Sequence, residues 1–314
     1  MESLLSTLLN TTQSLLLPLA AFTVIGVLRR RRALLDDLRR VLPQSVLNLK
    51  LTFFNAIVVA PVLVAIGHIP SEIADGLDLG LNEQWNWSAW PPLLVAFLAV
   101  FVGDFVGYWR HRLEHVPLLW PSHSVHHSDD QMTWLTLQRF HPVNRLSTYV
   151  IDTGVLALAG FPPYALVANN LLRHFYGYLI HANLPWTYGP AAYVFVSPAM
   201  HRWHHAADPH FFQKNFATVF SIFDRLFGTY CVPGPCRAPL GVTDGIERTL
   251  FAQLCYMFER RAYRAIKAGT ATPFRWHPAE GGVRNSAAIA VGAGSQDVAD
   301  TTAGAGGPSH PRKD

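Results

Sequence analysis

The sequence has few cysteines and no paired arrangement of them. Its three cysteines, Cys231, Cys236 and Cys255, form neither a Cys-x-x-Cys motif nor an even-numbered framework. This pattern predicts free thiols, with a Cys231–Cys236 bridge as the alternative. It also excludes a cysteine array for an iron–sulfur cluster.

Charged residues are scarce as well. They make up 15% of the 314 residues, whereas an average soluble domain has about 25%, and the mean hydropathy is +0.17. We therefore expect a polytopic membrane protein. The net charge of +4 does not indicate nucleic-acid binding, because no groove-binding motif accompanies it. Residues 29–32, all arginines, directly follow an apolar run, as in a cytoplasmic loop.

Long apolar runs predict an all-α membrane bundle. The N-terminus lacks the basic start and cleavage site of a signal peptide, so its first apolar run is expected to stay as a membrane helix. The sequence predicts about four to five spans, at approximately residues 13–28, 47–69, 91–109, 146–160 and 163–180. The loop from Ser71 to Trp87 is acidic and rich in tryptophan, which is typical of the non-cytoplasmic side. The residues that follow the third span should then face the cytoplasm.

Histidines are concentrated in three motifs just after and beyond that span. They are an HxxxH motif and two HxxHH motifs, formed by His111 and His115, by His123, His126 and His127, and by His201, His204 and His205. On a helix, residues three and four apart share a face, so each motif can direct its rings at one point. Neutral imidazole is a ligand for iron, zinc or copper. Eight imidazoles exceed the roughly six positions of one ion, so the pattern predicts two metal ions.

Asp104 is a further candidate inside the third span. It precedes His111 by seven residues and shares its helix face. An ionisable group within a span is a functional candidate. Two roles are open: an acceptor that orients a ligand histidine, or a buried structural hydrogen bond.

Together these segments resemble the fatty acid hydroxylase and sterol desaturase superfamily, which consists of integral membrane non-haem di-iron enzymes. The resemblance extends from about Pro91 to Tyr230, and each of its motifs is weak alone, whereas the ordered set is specific. Beside the histidine motifs it rests on Asp104, Tyr108-Trp109-Arg110, Leu119-Trp120, Arg139-Phe140-His141-Pro142, His181-Ala182-Asn183, Ser197-Pro198, Asn215-Phe216 and residues 224–229. One departure is Asn215-Phe216-Ala217, where many relatives have Asn-Tyr-Gly.

The resemblance implies iron ligation by the eight histidines named above, with His181 as a ninth ligand. It implies supporting positions behind the ligands for Asp104, His141, His174, Asn183, Asn215 and Asp224. For His174, which lies two turns deeper in the helix than His181, a buried hydrogen-bonding role is expected.

The resemblance also implies the chemistry. Two irons and O2 as co-substrate would hydroxylate or desaturate an unactivated C–H bond of a lipid, such as a sterol or a fatty acyl chain. The sequence has no haem-binding His-Pro-Gly-Gly and no glycine-rich dinucleotide motif. A separate electron donor is therefore implied, either a ferredoxin or a b-type cytochrome with its reductase. The expected location is a bacterial inner membrane, or the endoplasmic reticulum in a eukaryote, with the histidines facing the cytoplasm.

Two other functional classes fit parts of the sequence. His111-Arg112-Leu113-Glu114-His115 matches the HxxEH motif of zinc hydrolases, with Glu114 as general base. A metal transporter is the second alternative, because histidines near membrane helices can move ions.

Four segments are expected along the chain. Residues 1–90 hold the N-terminal spans, and residues 91–235 form the catalytic region. Residues 236–278 contain an amphipathic helix that either lies at the membrane interface or packs on the metal-binding region. Residues 279–314 are predicted to be a disordered tail.

Overall fold

A computed structural model describes residues 4–30, 33–77, 85–243 and 245–267. These residues form helices joined by loops, and the only bridges among them are the isolated pairs Phe195–Phe220 and Ala206–Leu240. The predicted all-α class is confirmed. The described residues all belong to one compact unit, and the tail predicted for 279–314 lies outside them.

The helices follow one another with short connections. The N-terminal part contains α1 (Leu4–Arg30), α2 (Leu34–Phe54), a π-helical turn (Asn55–Val59), α3 (Ala60–Ala65) and α4 (Ile69–Gly76). The central part contains α5 (Pro92–Glu114), α6 (Trp120–His127), α7 (Pro142–Ser147), a π-helical turn (Thr148–Thr153), α8 (Gly154–Leu158) and α9 (Pro163–His181). The C-terminal part contains α10 (Pro198–His204), α11 (Ile222–Leu226), α12 (Leu250–Cys255) and α13 (Arg260–Lys267).

Three helices of the described residues are long and apolar enough to cross a membrane. They are Leu4–Arg29, Leu34–Ile66 and Pro92–Glu114. The two later apolar runs, counted as spans in the sequence analysis, do not meet the same criteria. Residues 142–158 are short for a span of about 20 residues, and α9 contains Arg173 and His174. Length and composition therefore give three candidate spans among the described residues, and the count of four to five spans stays a prediction.

Helix α2 turns its polar side inward. Gln44, Asn48 and Thr52 are buried, whereas Leu38 and Leu42 are more than half exposed. This reversed distribution suits a helix that faces hydrocarbon, because apolar side chains can then contact lipid.

The buried polar side of α2 meets Arg139, whose side chain is fully buried. The Arg139 guanidinium donates to Gln44 Oε1 at 2.7 Å and to Asn48 Oδ1 at 3.1 Å. It also donates to the Val125 carbonyl at 2.9 Å and to Ser128 Oγ at 2.8 Å, at the end of α6. A buried cation with this many acceptors is stabilised without a carboxylate in contact. Arg139 thereby ties α2 to α6.

Helices α5 and α9 pack closely because α5 has glycines at the contact. A Cβ atom at Gly103 would collide with the Asn169 side chain, and one at Gly107 would collide with the Arg173 guanidinium. The two glycines therefore allow polar side chains of α9 to lie against α5. This packing places the C-terminal ends of α5 and α9 side by side.

The predicted C-terminal amphipathic helix is divided in two. α12 packs through Leu250 and Leu254 against Leu47 and Leu51 of α2 and against Val125 of α6. Phe251 and Phe258 are each 77% exposed.

Candidate metal centre

The structure gathers all nine predicted ligand histidines in two groups. The five-histidine cluster contains His111, His115, His123, His127 and His204, and the four-histidine cluster contains His126, His181, His201 and His205. Within each cluster, one ring nitrogen per residue lies within 4.8 Å of the others. The clusters adjoin, since the rings of His127 and His205 stack at 4.3 Å. All nine side chains are buried.

Four helix ends bring these rings together. The last turn of α5 carries His111, and its C-terminal cap is His115. α6 supplies the first HxxHH motif, and α9 ends at His181. α10 begins at Pro198, and the Ser197 side chain accepts from the Met200 N–H as its N-terminal cap. The second HxxHH motif thus starts on a capped helix.

Backbone carbonyls orient several of the rings. The Nδ1 atoms of His111, His204 and His181 lie 2.8, 2.8 and 2.7 Å from the carbonyl oxygens of Phe216, Lys214 and Gly177. A carbonyl oxygen can only accept a hydrogen bond, so Nδ1 must carry the proton. In a neutral ring the lone pair is then on Nε2. These three rings therefore direct a lone pair into the centre.

Two of these lone pairs face each other at short range. His111 Nε2 and His204 Nε2 are 3.0 Å apart, and neither nitrogen has a proton to donate in the tautomer that the carbonyls fix. Such a contact is favourable only with a cation between or beside the two nitrogens. This donor set fits a metal ion.

The four-histidine cluster also requires a cation, but for a different reason. His181 Nε2 lies 3.0 Å from His201 Nε2 and 3.1 Å from His126 Nε2. Among the described residues, both ring nitrogens of His205 and Nδ1 of His201 are buried without a hydrogen-bond partner. Buried unpartnered polar atoms are costly. A second imidazole-bound ion would compensate for them.

Burial also keeps the rings neutral. It lowers the pKa of His204 from 6.5 to about 4. The pKa values of His201 and His205 are lowered well below 6.5, first by burial and then by neighbouring imidazoles. Neutral rings at pH 7 are free to bind a metal without first losing a proton.

Glu114, which the HxxEH motif suggests as a hydrolase base, lies behind another ring. Its Oε2 lies 3.3 Å from Nδ1 of His123 and accepts from Arg110 at 2.7 Å, and its Oε1 accepts from Ser147 at 2.6 Å. Asn144 Nδ2 also lies 3.2 Å from the same Nδ1. The available sequence signal was the acidic residue inside the first motif, which lies three residues after His111 and therefore on the same helix face.

Asp104 and Asp224 hold the loop that carries the Phe216 carbonyl. Asp104 accepts from the N–H groups of Val219 at 3.0 Å and Phe220 at 2.7 Å, so it makes the structural hydrogen bonds and does not contact a histidine. Asp224 accepts from the Phe216 N–H at 2.7 Å. Burial raises the pKa of Asp224 to about 6.

Asn215 fixes the start of this loop. Its φ is +63°, a conformation that asparagine adopts more readily than most residues. Its side chain makes two hydrogen bonds with the Cys231 backbone, at 2.7 and 2.8 Å.

The other expected supporting residues lie outside the two clusters. His141 uses both ring nitrogens elsewhere, accepting from the Val143 N–H and approaching the Leu254 carbonyl at 3.0 Å. His174 Nε2 lies 3.1 Å from the Tyr178 hydroxyl, the hydrogen-bonding role expected for it. Asn183 is exposed, because α9 ends two residues before it.

A pocket of about 400 Å³ opens beside the clusters. His111, His123, His126, His181 and His201 form part of its wall, so both clusters reach it. The remaining wall is mixed, with apolar side chains and the arginines Arg110, Arg145 and Arg173.

The known proteins that this chain resembles include a lipid hydroxylase and a monooxygenase. Residues 96–229 match the family model for fatty acid hydroxylases. The chain is 30% identical over 179 residues to ornithine lipid hydroxylase OlsE of Rhizobium tropici, covering 56% of this chain and 54% of that protein. It is 32% identical over 171 residues to alkylglycerol monooxygenase of Danio rerio, covering 54% of this chain and 36% of that one.

A desaturase is among the relatives too. The chain is 30% identical over 176 residues to Delta(7)-sterol 5(6)-desaturase erg3C of Aspergillus fumigatus, covering 48% of this chain and 53% of that one. No solved structure matches significantly. Residues 96–229 therefore match a fatty acid hydroxylase domain, and these homologues all lie in the fatty acid hydroxylase and sterol desaturase superfamily. The chain spans about a third to just over half the length of these curated relatives.

Proposed function

We propose that this protein is a membrane-bound di-iron oxygenase that hydroxylates or desaturates an unactivated C–H bond of a lipid. The observation that carries the proposal is the 3.0 Å contact between His111 Nε2 and His204 Nε2. Both nitrogens bear lone pairs, because both Nδ1 atoms donate to carbonyls. The names of the hydroxylase, monooxygenase and desaturase relatives support the type of reaction.

The proposed metal ligands are the nine histidines of the two clusters. Two irons bound there would supply the reduction of O2 that breaks an unactivated C–H bond, which no side-chain acid or nucleophile can do. The protein's own part is to hold the rings, through the carbonyls of Phe216, Lys214 and Gly177 and the carboxylate of Glu114. The pocket beside the clusters would admit the reacting part of the lipid. Electrons would come from a separate ferredoxin or b-type cytochrome with its reductase.

The zinc hydrolase alternative is less well supported by the contacts of Glu114. Its two oxygens are engaged by Arg110 and Ser147, and it approaches His123 on Nδ1, the nitrogen that faces away from the cluster. A general base needs access to a metal-bound water. A transporter would be expected to bind its ion near the bilayer midplane, whereas these histidines lie at or beyond a span end.

The test is to express the chain with a ferredoxin and its reductase and to compare lipid extracts without preselection. We expect lipids that gain one oxygen or lose two hydrogens, an 18O label from 18O2 in the hydroxylated products, and two irons per chain. His204→Ala should abolish the products, and His68→Ala, at an exposed histidine, should not. One bound zinc together with O2-independent hydrolysis would contradict the proposal.

A further inference from the structure

Two of the three arginines in the pocket wall are neutralised by carboxylates. Arg110 pairs with Glu114 at 2.7 Å and with Asp152 at 2.8 Å. Arg173 pairs with Asp152 at 2.9 Å and lies 3.5 Å from Asp104. These three carboxylates therefore compensate the charge of both guanidinium groups.

Arg145 differs from them. Among the described residues, no carboxylate forms an ion pair with it. Its Nη2 donates to Gln138 Oε1 at 2.6 Å, an interaction with a neutral acceptor. The side chain is only partly accessible, so solvent screens its charge incompletely. A guanidinium withdrawn from water without an anion loses hydration that one neutral acceptor does not replace.

Arg145 also lies close to the four-histidine cluster. Its Cζ atom is 5.0 Å from the centre of the Phe140 ring. Phe140 in turn stacks on His126, with ring centres 5.0 Å apart and planes inclined by 4°. The Arg145 guanidinium is thus separated from a proposed iron ligand by a single aromatic ring.

We propose that Arg145 binds an oxyanion, either a carboxylate or a phosphate, in the head group of the lipid substrate. The planar guanidinium suits such an oxyanion because it can donate two parallel hydrogen bonds. This inference rests on the proposed function.

The shape of the pocket agrees with partial entry of a lipid. A volume of about 400 Å³ suits a small ligand and is smaller than a membrane lipid with two acyl chains. Thr148, Thr153 and Asn170 give the wall polar groups that suit a head group. Leu171 also lines the pocket and is 55% exposed, so the acyl chains can leave past an apolar side chain toward the bilayer.

The test compares three amphiphiles, each with a chain of twelve carbons, on the purified, iron-loaded protein. The probes are dodecyl phosphate, N-dodecanoylglycine, which has a free carboxylate, and the neutral 1-dodecylglycerol. Binding is measured by native mass spectrometry and by tryptophan fluorescence. We expect at least one anionic probe to bind about tenfold or more tightly than the neutral probe, the size of a charge-assisted hydrogen bond. A preference for the phosphate would indicate a phospholipid, and a preference for the carboxylate would indicate an amino-acid-like head group.

Variants then assign the preference to Arg145. Arg145→Gln should remove it, Arg145→Lys should keep part of it, and Arg237→Gln, at an exposed arginine, should leave it unchanged. Iron content and elution volume check that each variant is folded. Should Arg145→Gln not fold, Arg145→Lys and the wild-type comparison still decide the matter.

The two proposals fail in different ways. Equal affinity of the wild type for all three probes, or an anionic preference that survives Arg145→Gln, would overturn the role of Arg145 while lipid oxidation could still be observed. Selective anion binding that depends on Arg145, in a protein that oxidises no lipid with O2 and reductant, would overturn the oxygenase proposal and leave the anion site in place.

Discussion

The two histidine clusters differ in how firmly their rings are held. In the five-histidine cluster, the Nδ1 atoms of His111 and His204 face carbonyl oxygens, and Nδ1 of His123 lies 3.3 Å from a carboxylate oxygen. In the four-histidine cluster a carbonyl of this kind faces His181. Each cluster also contains one ring, His115 in the first and His205 in the second, whose two nitrogens have no hydrogen-bond partner among the described residues. The first cluster is therefore the more pre-organised for a metal, and the second depends more on the metal itself to fix its rings.

Removing a ring from each cluster gives the largest expected effect. We expect His204→Ala and His205→Ala each to abolish lipid oxidation, since two metals must act together. The two variants should differ in which of the two sites still binds metal, because His204→Ala disrupts the five-histidine cluster and His205→Ala disrupts the four-histidine cluster. Metal analysis and turnover assays check this, with His68→Ala as the matched exposed control. Full activity in either variant would refute that ligand assignment.

Loss of the acceptor behind one ring should have a smaller effect. Glu114→Gln keeps the shape but removes the charge next to His123, and such changes typically cost about 10- to 100-fold in metal affinity or activity. The measurement is iron retention during titration with a chelator. Glu72→Gln is the control, since the Glu72 side chain is 69% exposed. An unchanged iron affinity in Glu114→Gln would remove the contrast between the clusters.

The loop behind the first cluster offers a test of stability. The two Asp224 oxygens accept from the Phe216 and Ala217 N–H groups, so Asp224→Asn places an amide NH2 against one of these donors and should lower the free energy of unfolding by about 1–3 kcal/mol. The midpoint of thermal unfolding in detergent reports the loss, with Asp36→Asn, at an 80% exposed carboxylate, as control. A midpoint equal to that of the wild type would show that this carboxylate does not hold the loop.

A dependence on pH is the subtlest expected effect. Because burial lowers the pKa of His204 to about 4, bound metal should be retained as the pH falls below 6.5 and lost only towards about 4. In the metal-free protein the unfolded chain binds protons below about 6.5 and the folded chain does not. The free energy of unfolding of the metal-free protein should therefore keep its full value above that pH and fall as the pH decreases below it. Metal loss that follows the ordinary histidine pKa would contradict the burial of these rings.

The sequence predicted the helical class and the eight histidines of the three motifs because both follow from residue type and spacing, whereas His181 was implied by the family resemblance. The sequence did not predict that residues 142–158 are short for a span, nor that polar side chains of α9 lie against the protein. The opposite charges of Asp152 and Arg173 form an ion pair only after folding. The carbonyl acceptors at Lys214 and Phe216 leave no trace in the sequence, because every residue has a carbonyl. For Asp104 the two predicted roles could be separated only by contacts with residues more than 100 positions away.

The buried Arg139 has a consequence for how the bilayer acts on this protein. It joins polar groups of α2, a helix long enough to cross the membrane, to the end of α6, where His126 and His127 lie. These two helices cannot tilt independently without breaking several buried hydrogen bonds. Membrane thickness, which sets the tilt of a spanning helix, should therefore influence the geometry of the histidines, and turnover should vary with lipid chain length even when the substrate is held constant.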